Sequence, residues 1–213
     1  MGGFALIKKL NITFLLFIFI FCFFSVPVFA ISPSSQVIYD GIDVSHWQGI
    51  IDFSLVKNDG IDVVYIKASQ GTTFIDPRFE YNYNMAKANG LKVGVYHYVD
   101  ARSISDAIAE ANFFASVISG KEIDCKLAMD FEQFGNLSRD EINIIALKFL
   151  EELQSVTGKE TLVYSNTYTA RTIFYGEITK YPLWVAHYGV SQPGDNGNWN
   201  TWVRISIYKY WES

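Results

Sequence analysis

Apolar and polar positions along the chain change period repeatedly, from alternation or short apolar runs to a helical spacing and back. Val37 to Val44, Val63 to Ala68, Leu91 to Val99, Lys126 to Glu132, Thr161 to Ser165 and Leu183 to Tyr188 read as strands, and Val203 to Tyr210 as a seventh. Helical stretches stand between them. One has Asp76 as its predicted N-cap, Pro77 at its first position and Asn89-Gly90 at its end. Another runs from Ser105 to Ile118 and stops at Gly120. The best defined opens with a capping box, Ser138 and Glu141. It carries Ile142, Ile145, Ala146, Phe149, Leu150 and Leu153 on one face and closes at Gly158.

Repeated βα units imply a parallel sheet. An open doubly wound sheet usually carries a Gly-rich phosphate loop after its first strand. Here that position reads Asp43-Val44-Ser45-His46-Trp47-Gln48-Gly49, with acid and aromatic groups instead. The expected fold is therefore α/β, a small irregular barrel with its strand C-termini facing one mouth.

The first thirty residues do not belong to that pattern. Lys8 and Lys9 precede the apolar run Phe14 to Phe24, and Val28 and Ala30 fit the small positions before a cleavage site. Residues 1–30 read as a secretory signal peptide, with an uncleaved membrane anchor as the alternative. The remaining 31–213 have the length of one domain, expected to be secreted without stable membrane insertion. Losing Lys8 and Lys9 leaves 15 basic against 22 acidic residues, a net charge of −7. That balance argues against nucleic acid as partner. Cys125 alone remains after cleavage, so no internal disulfide forms, and a small packing role suits it.

In a barrel, polar residues at strand C-termini are the candidates for chemistry. Strand alternation puts Asp130 and Glu132 on one side, about 6.6 Å apart along the strand, with Ala128 below them. Two carboxyls so placed can flank one glycosidic bond. They fit two surface acids at a strand end equally well. Asp43 and Ser45 come from the first strand, Tyr164 and Asn166 from the fifth, and Trp184, Ala186 and Tyr188 from the sixth. Acids, aromatics and an amide in one cleft suit a neutral polysaccharide. His46, His97 and His187 lack metal-ligand spacing, so no metal or cofactor is expected, and Lys67 is expected to form a salt bridge or line the barrel.

Six segments in order resemble glycoside hydrolase family 25, the Chalaropsis-type lysozymes. They are Gly41-Ile-Asp-Val-Ser-His-Trp-Gln-Gly49, Val64-Tyr-Ile-Lys-Ala-Ser69 with Gly71, and Asp76, Phe79, Asn82 and Ala86. Gly90 to Tyr98, Asp130-Phe-Glu132, and Tyr164-Ser-Asn166 with Pro182 to Tyr188 follow. The resemblance implies a TIM-like barrel with fewer helices than the eightfold form. It implies an N-acetylmuramidase that cuts the β-1,4 bond between N-acetylmuramic acid and N-acetylglucosamine in peptidoglycan. By matching position Glu132 is the general acid, Asp130 the ionised partner of the substrate N-acetyl group, and Asp43 a further cleft acid. Tyr98, Tyr164, Trp184, Tyr188 and Asn166 are the sugar-binding candidates. Ile207 to Ser213 is similar to the family's seventh strand, with Lys209 where Gln is usual, and the family's last strand is expected to be missing. A non-catalytic peptidoglycan-binding relative, or an inactive truncated product, is thus the second reading.

Overall fold

The structure is a computed structural model. It describes Ser32–Pro33, residues 39–186, Trp199 and residues 201–203, all in the compact unit Ile31–Ser213. Residues 1–30, expected to be a signal peptide, Val37 and Ile38, His187, Tyr188, the loop 191–198 and most of the expected seventh strand lie outside the described residues. So does the segment on which the expected loss of a last strand depends.

The chain begins with β1 (Ser32–Pro33) and β2 (Gly41–Val44), followed by a 3-10 turn at His46–Gln48 and helix α1 (Phe53–Asn58). Next come β3 (Val63–Gln70), β4 (Phe74–Ile75), α2 (Phe79–Ala88), β5 (Lys92–Tyr98) and α3 (Ile104–Val117). Then follow β6 (Leu127–Asp130), α4 (Arg139–Thr157), β7 (Thr161–Asn166), α5 (Thr167–Thr172), β8 (Leu183–Ala186) and β9 (Thr201–Val203). The sheet order is β1-β9-β8-β7-β6-β5-β3-β2, and every neighbouring pair along it is parallel. The two-residue β4 adds antiparallel to the end of β3.

The sheet curls, and one ring contact demonstrates it. Strands β3 and β8 have three strands between them, a separation of about 19 Å on a flat sheet. Yet the rings of Tyr65 and Trp184 lie 4.8 Å apart. With Val63, Ala128 and Leu162 they form a small apolar cluster on the concave face. Tyr65 fits because Gly94 stands beside it on β5, where a Cβ would meet the ring at 2.5 Å. The larger core lies on the convex face, between sheet and helices. Leu127, Met129 and Phe131 belong to it, while Ala128 faces inward, as alternation predicts.

Helix α4 follows its sequence pattern closely. The Ser138–Glu141 capping box forms, the predicted apolar face is buried, and Gly158 ends the helix at φ 65°. Two starts differ from expectation. α3 opens one residue early, capped by Ser103. α2 starts at Phe79, with Arg78 at its cap and no side-chain cap bond, so Pro77 lies outside it. Asp76 is otherwise engaged: its Oδ2 accepts from the backbone and ring nitrogens of His46, and its Oδ1 from the Arg78 N–H. The short α1 and α5 were not anticipated, although Asp52 and Asn166 are ordinary cap residues for them.

Candidate active site

The C-terminal ends of the parallel strands surround a cleft of about 240 Å³. β2 contributes Asp43, with Ser45 just beyond it. β3 contributes Lys67, β5 Tyr96 and Tyr98, β7 Tyr164 and β8 Trp184. Asp130 is the last residue of β6, and Glu132 follows where the strand has ended, two residues earlier than the sequence predicts. Register explains the grouping. Tyr98 pairs with Asp130, Asp130 with Tyr164, and Tyr164 with Trp184, so four adjacent strands present these residues at one level.

The three acids occupy different depths. Asp130 is 8% exposed, and its Oδ1 has no hydrogen-bond partner among the described residues. Burial raises its pKa well above the usual carboxylate range, and the neighbouring Glu132 and Asp43 add to the rise. Lys67 acts against it. Burial also lifts Asp43, to about 6. Glu132 lies at the mouth with much of its surface exposed, yet the cleft wall crowds its carboxyl enough that desolvation raises its pKa. Raised carboxyl pKa values favour the protonated form that a general acid needs near neutral pH.

The aromatics divide into floor and rim. Trp184 is 2% exposed and packs against both Tyr65 and Tyr164, each ring centroid 4.8 Å away. Its indole Nε1 has no partner among the described residues. It forms the floor. Trp47, 81% exposed, stands at the rim beside His46, whose ring lies 4.7 Å away. Tyr96 and Tyr98 line the wall.

The structure therefore gathers Asp43, Asp130, Glu132, Tyr98, Tyr164 and Trp184 in one cleft. Asn166 is not in the lining. Its Oδ1 accepts from the Thr169 N–H and caps α5. Tyr188 lies outside the described residues. Trp47 and Tyr96 were overlooked as lining residues. Tyr96 was legible, being two positions before Tyr98 on the same face. Lys67 lines the cleft as expected and forms no direct ion pair with a described carboxylate. His46 and His97 each bond a carboxylate away from the acid pair, Asp76 and Glu110. Cys125 packs against the inner cluster, and burial pushes its thiol up to about 11, which suits packing and not reactivity.

The sequence profile of the glycosyl hydrolases family 25 matches residues 42–213. The chain belongs to glycosyl hydrolases family 25. Family 25 relatives include the autolytic lysozyme of Clostridium acetobutylicum, 40% identical over 153 residues, covering 72% of this chain and 46% of that protein. Lysozyme M1 of Streptomyces globisporus is 34% identical over 188 residues, covering 81% of this chain and 63% of that one. This family 25 chain thus spans about half to two-thirds of those relatives' length. Among solved structures, the bacterial lysozyme from Streptomyces coelicolor is 31% identical with a TM-score of 0.66, covering 79% of this chain and 82% of that one. The curled parallel sheet with its helices fits the irregular barrel expected from the sequence, and its fold is similar to that neighbour's.

Proposed function

We propose that the protein is a secreted peptidoglycan hydrolase, an N-acetylmuramidase, with residues 1–30 as its signal peptide and glycan strands of the cell wall as its substrate. The observation that carries this reading is the acid pair Asp130 and Glu132 at the end of β6, inside an aromatic-lined cleft that raises both carboxyls. Relatives named as lysozymes support the reaction class.

Glu132 donates the proton to the departing glycosidic oxygen. Its place at the open mouth lets it reach the bond, and its raised pKa keeps the proton available. Asp130, deeper in the cleft, orients the N-acetyl group of the bound sugar, which attacks the anomeric carbon. Its Oδ1, without a partner among the described residues, is the acceptor for an amide N–H. Asp43 stands as the third acid that tunes the pair, and Tyr98, Tyr164 and Trp47 contact sugar faces while Trp184 sets the depth.

Loss of turbidity of purified cell walls, compared with the Glu132→Gln variant, tests the reading. The variant is expected to lose at least about 100-fold in rate at unchanged thermal stability. Wall binding without lysis in both proteins would instead identify a non-catalytic relative.

A further inference from the structure

Lys67 is a cation with an uncommon setting. Its side chain is nearly buried in a cleft that holds three acids, yet it pairs directly with none of them. Its Nζ donates one hydrogen bond, 2.8 Å, to the Gln70 Oε1. The ring of Tyr98 lies 4.9 Å from Nζ and that of Phe74 5.7 Å. An ammonium has three N–H donors, so two remain for the cleft. Gln70 is itself held from behind, its Nε2 donating to the Asp100 Oδ2 at 3.0 Å. The Asp100 backbone N–H in turn donates to the buried Glu110.

An irregularity in β3 makes this possible. Regular alternation would send Lys67 and Gln70 to opposite faces. The β3–β5 register slips between Lys67 and Ser69, so Lys67 pairs with Tyr96 and Ser69 already with His97. Ser69 thereby turns outward to bond the His97 ring at 2.8 Å, and Gln70 comes round to Lys67. The slip costs a regular ladder position and yields a fixed ammonium. Gln70 restrains that ammonium without neutralising it. Asp100, the anion that holds Gln70, is one amide removed.

We propose that Lys67 is a positioning residue that favours the charged state of Asp130 during the reaction, against the effect of its burial, and that the neutrality of Gln70 leaves the ammonium's field available to Asp130. The inference rests on the muramidase reading for its consequence on rate. Burial, with Glu132 and Asp43, favours the protonated form of Asp130, and Lys67 is the group that acts against them. The other groups facing them are Asp43, Glu132, Tyr96, Tyr98 and Tyr164 across the cleft, with Asp76 and Asp100 behind. Each acid among them adds negative charge, so none can substitute for Lys67.

The test is the pH profile of wall lysis together with direct titration of the Asp130 carboxyl carbon by NMR. Removing the cation raises the Asp130 pKa, so the acid limb of kcat moves to higher pH. Lys67→Met is expected to shift that limb upward by about one pH unit and to lower kcat about tenfold on it, with KM changed less than about twofold. Lys67→Arg keeps the wild-type limb. Gln70→Glu, which gives the ammonium its own counter-ion, shifts the limb the same way by roughly half a unit and serves if Lys67→Met does not fold. An acid limb unmoved in Gln70→Glu, or an effect confined to KM, overturns the proposal. If wild type does not lyse walls, the muramidase reading fails, and the NMR titration still decides. An Asp130 midpoint unchanged in Gln70→Glu sinks the proposal, and an upward move sustains it.

Discussion

The two faces of the sheet both hold buried acids and treat them in opposite ways. On the convex face, Glu110 projects from helix α3, and its Oε2 accepts from the His97 Nε2 at 3.2 Å and the Asp100 N–H at 3.0 Å. Ser69 Oγ meets the other ring nitrogen of His97, which is packed between Phe114 and Phe149. Burial lowers the His97 pKa, so the ring is neutral, with one nitrogen donating to Glu110 and the other accepting from Ser69. Serine, histidine and glutamate in a row have the order of a nucleophilic triad, but all three are buried, and here they latch a helix to a sheet. On the concave face, Asp130 keeps an oxygen, and Trp184 an indole N–H, without a partner among the described residues. An unsatisfied buried polar group costs about 1–3 kcal/mol. The Ser69–His97–Glu110 set is thus fully engaged, whereas two unpartnered groups, Asp130 and Trp184, belong to the cleft lining.

Breaking the convex set should cost stability more than activity. Glu110→Ala leaves the His97 ring and the Asp100 N–H without their acceptor, and is expected to destabilise the protein by about 3 kcal/mol. Chemical denaturation measures this, and wild-type stability in the variant would remove the contrast between the faces.

The concave set should behave in reverse. Asp43 rises on folding from its ordinary 3.8 to about 6, so the native state binds its proton more tightly than the unfolded chain. Its contribution to stability is therefore full at low pH and is lost as pH climbs through about 6. Asp43→Asn removes that loss. The variant is expected to be more stable than wild type by roughly 2–3 kcal/mol above pH 6, with the gain vanishing below about pH 4. Denaturant midpoints across pH check the sign, and its lysis should fall as its stability rises. A variant less stable at pH 7 than at pH 4, relative to wild type, would show Asp43 to be structural.

A smaller effect sharpens the boundary of the site. Asn166 caps α5 and stays out of the cleft lining. Asn166→Ala is expected to cost about 1 kcal/mol in thermal or chemical unfolding and to leave KM for cell walls unchanged. A rise in KM with no loss of stability would return Asn166 to the sugar-binding set.

Much of this was legible because strand alternation is rigid. Ala128, Asp130 and the convex Leu127 and Met129 follow from parity alone, and the α4 face follows from its period. The acid pair was legible for the same reason, although β6 ends before Glu132, so parity gives only its general direction. What parity could not give was the slip in β3, since no residue in Lys67-Ala68-Ser69-Gln70 announces one. The slip decides which side Ser69 and Gln70 take. Nor could local sequence show that Asp76 would serve His46, thirty positions away, because a buried carboxylate goes to the donors that the fold brings nearest. Asn166 was ambiguous for a related cause: cap and sugar contact use the same amide, and the local sequence does not place the next helix.

The contact between Tyr65 and Trp184 has a last consequence. It fills the inside of the curled sheet among the described strands, so the cleft above it has a floor. On the proposed muramidase reading, a glycan strand is laid across that floor and lifted off again, and a site of this kind takes an interior stretch of a strand as readily as its end.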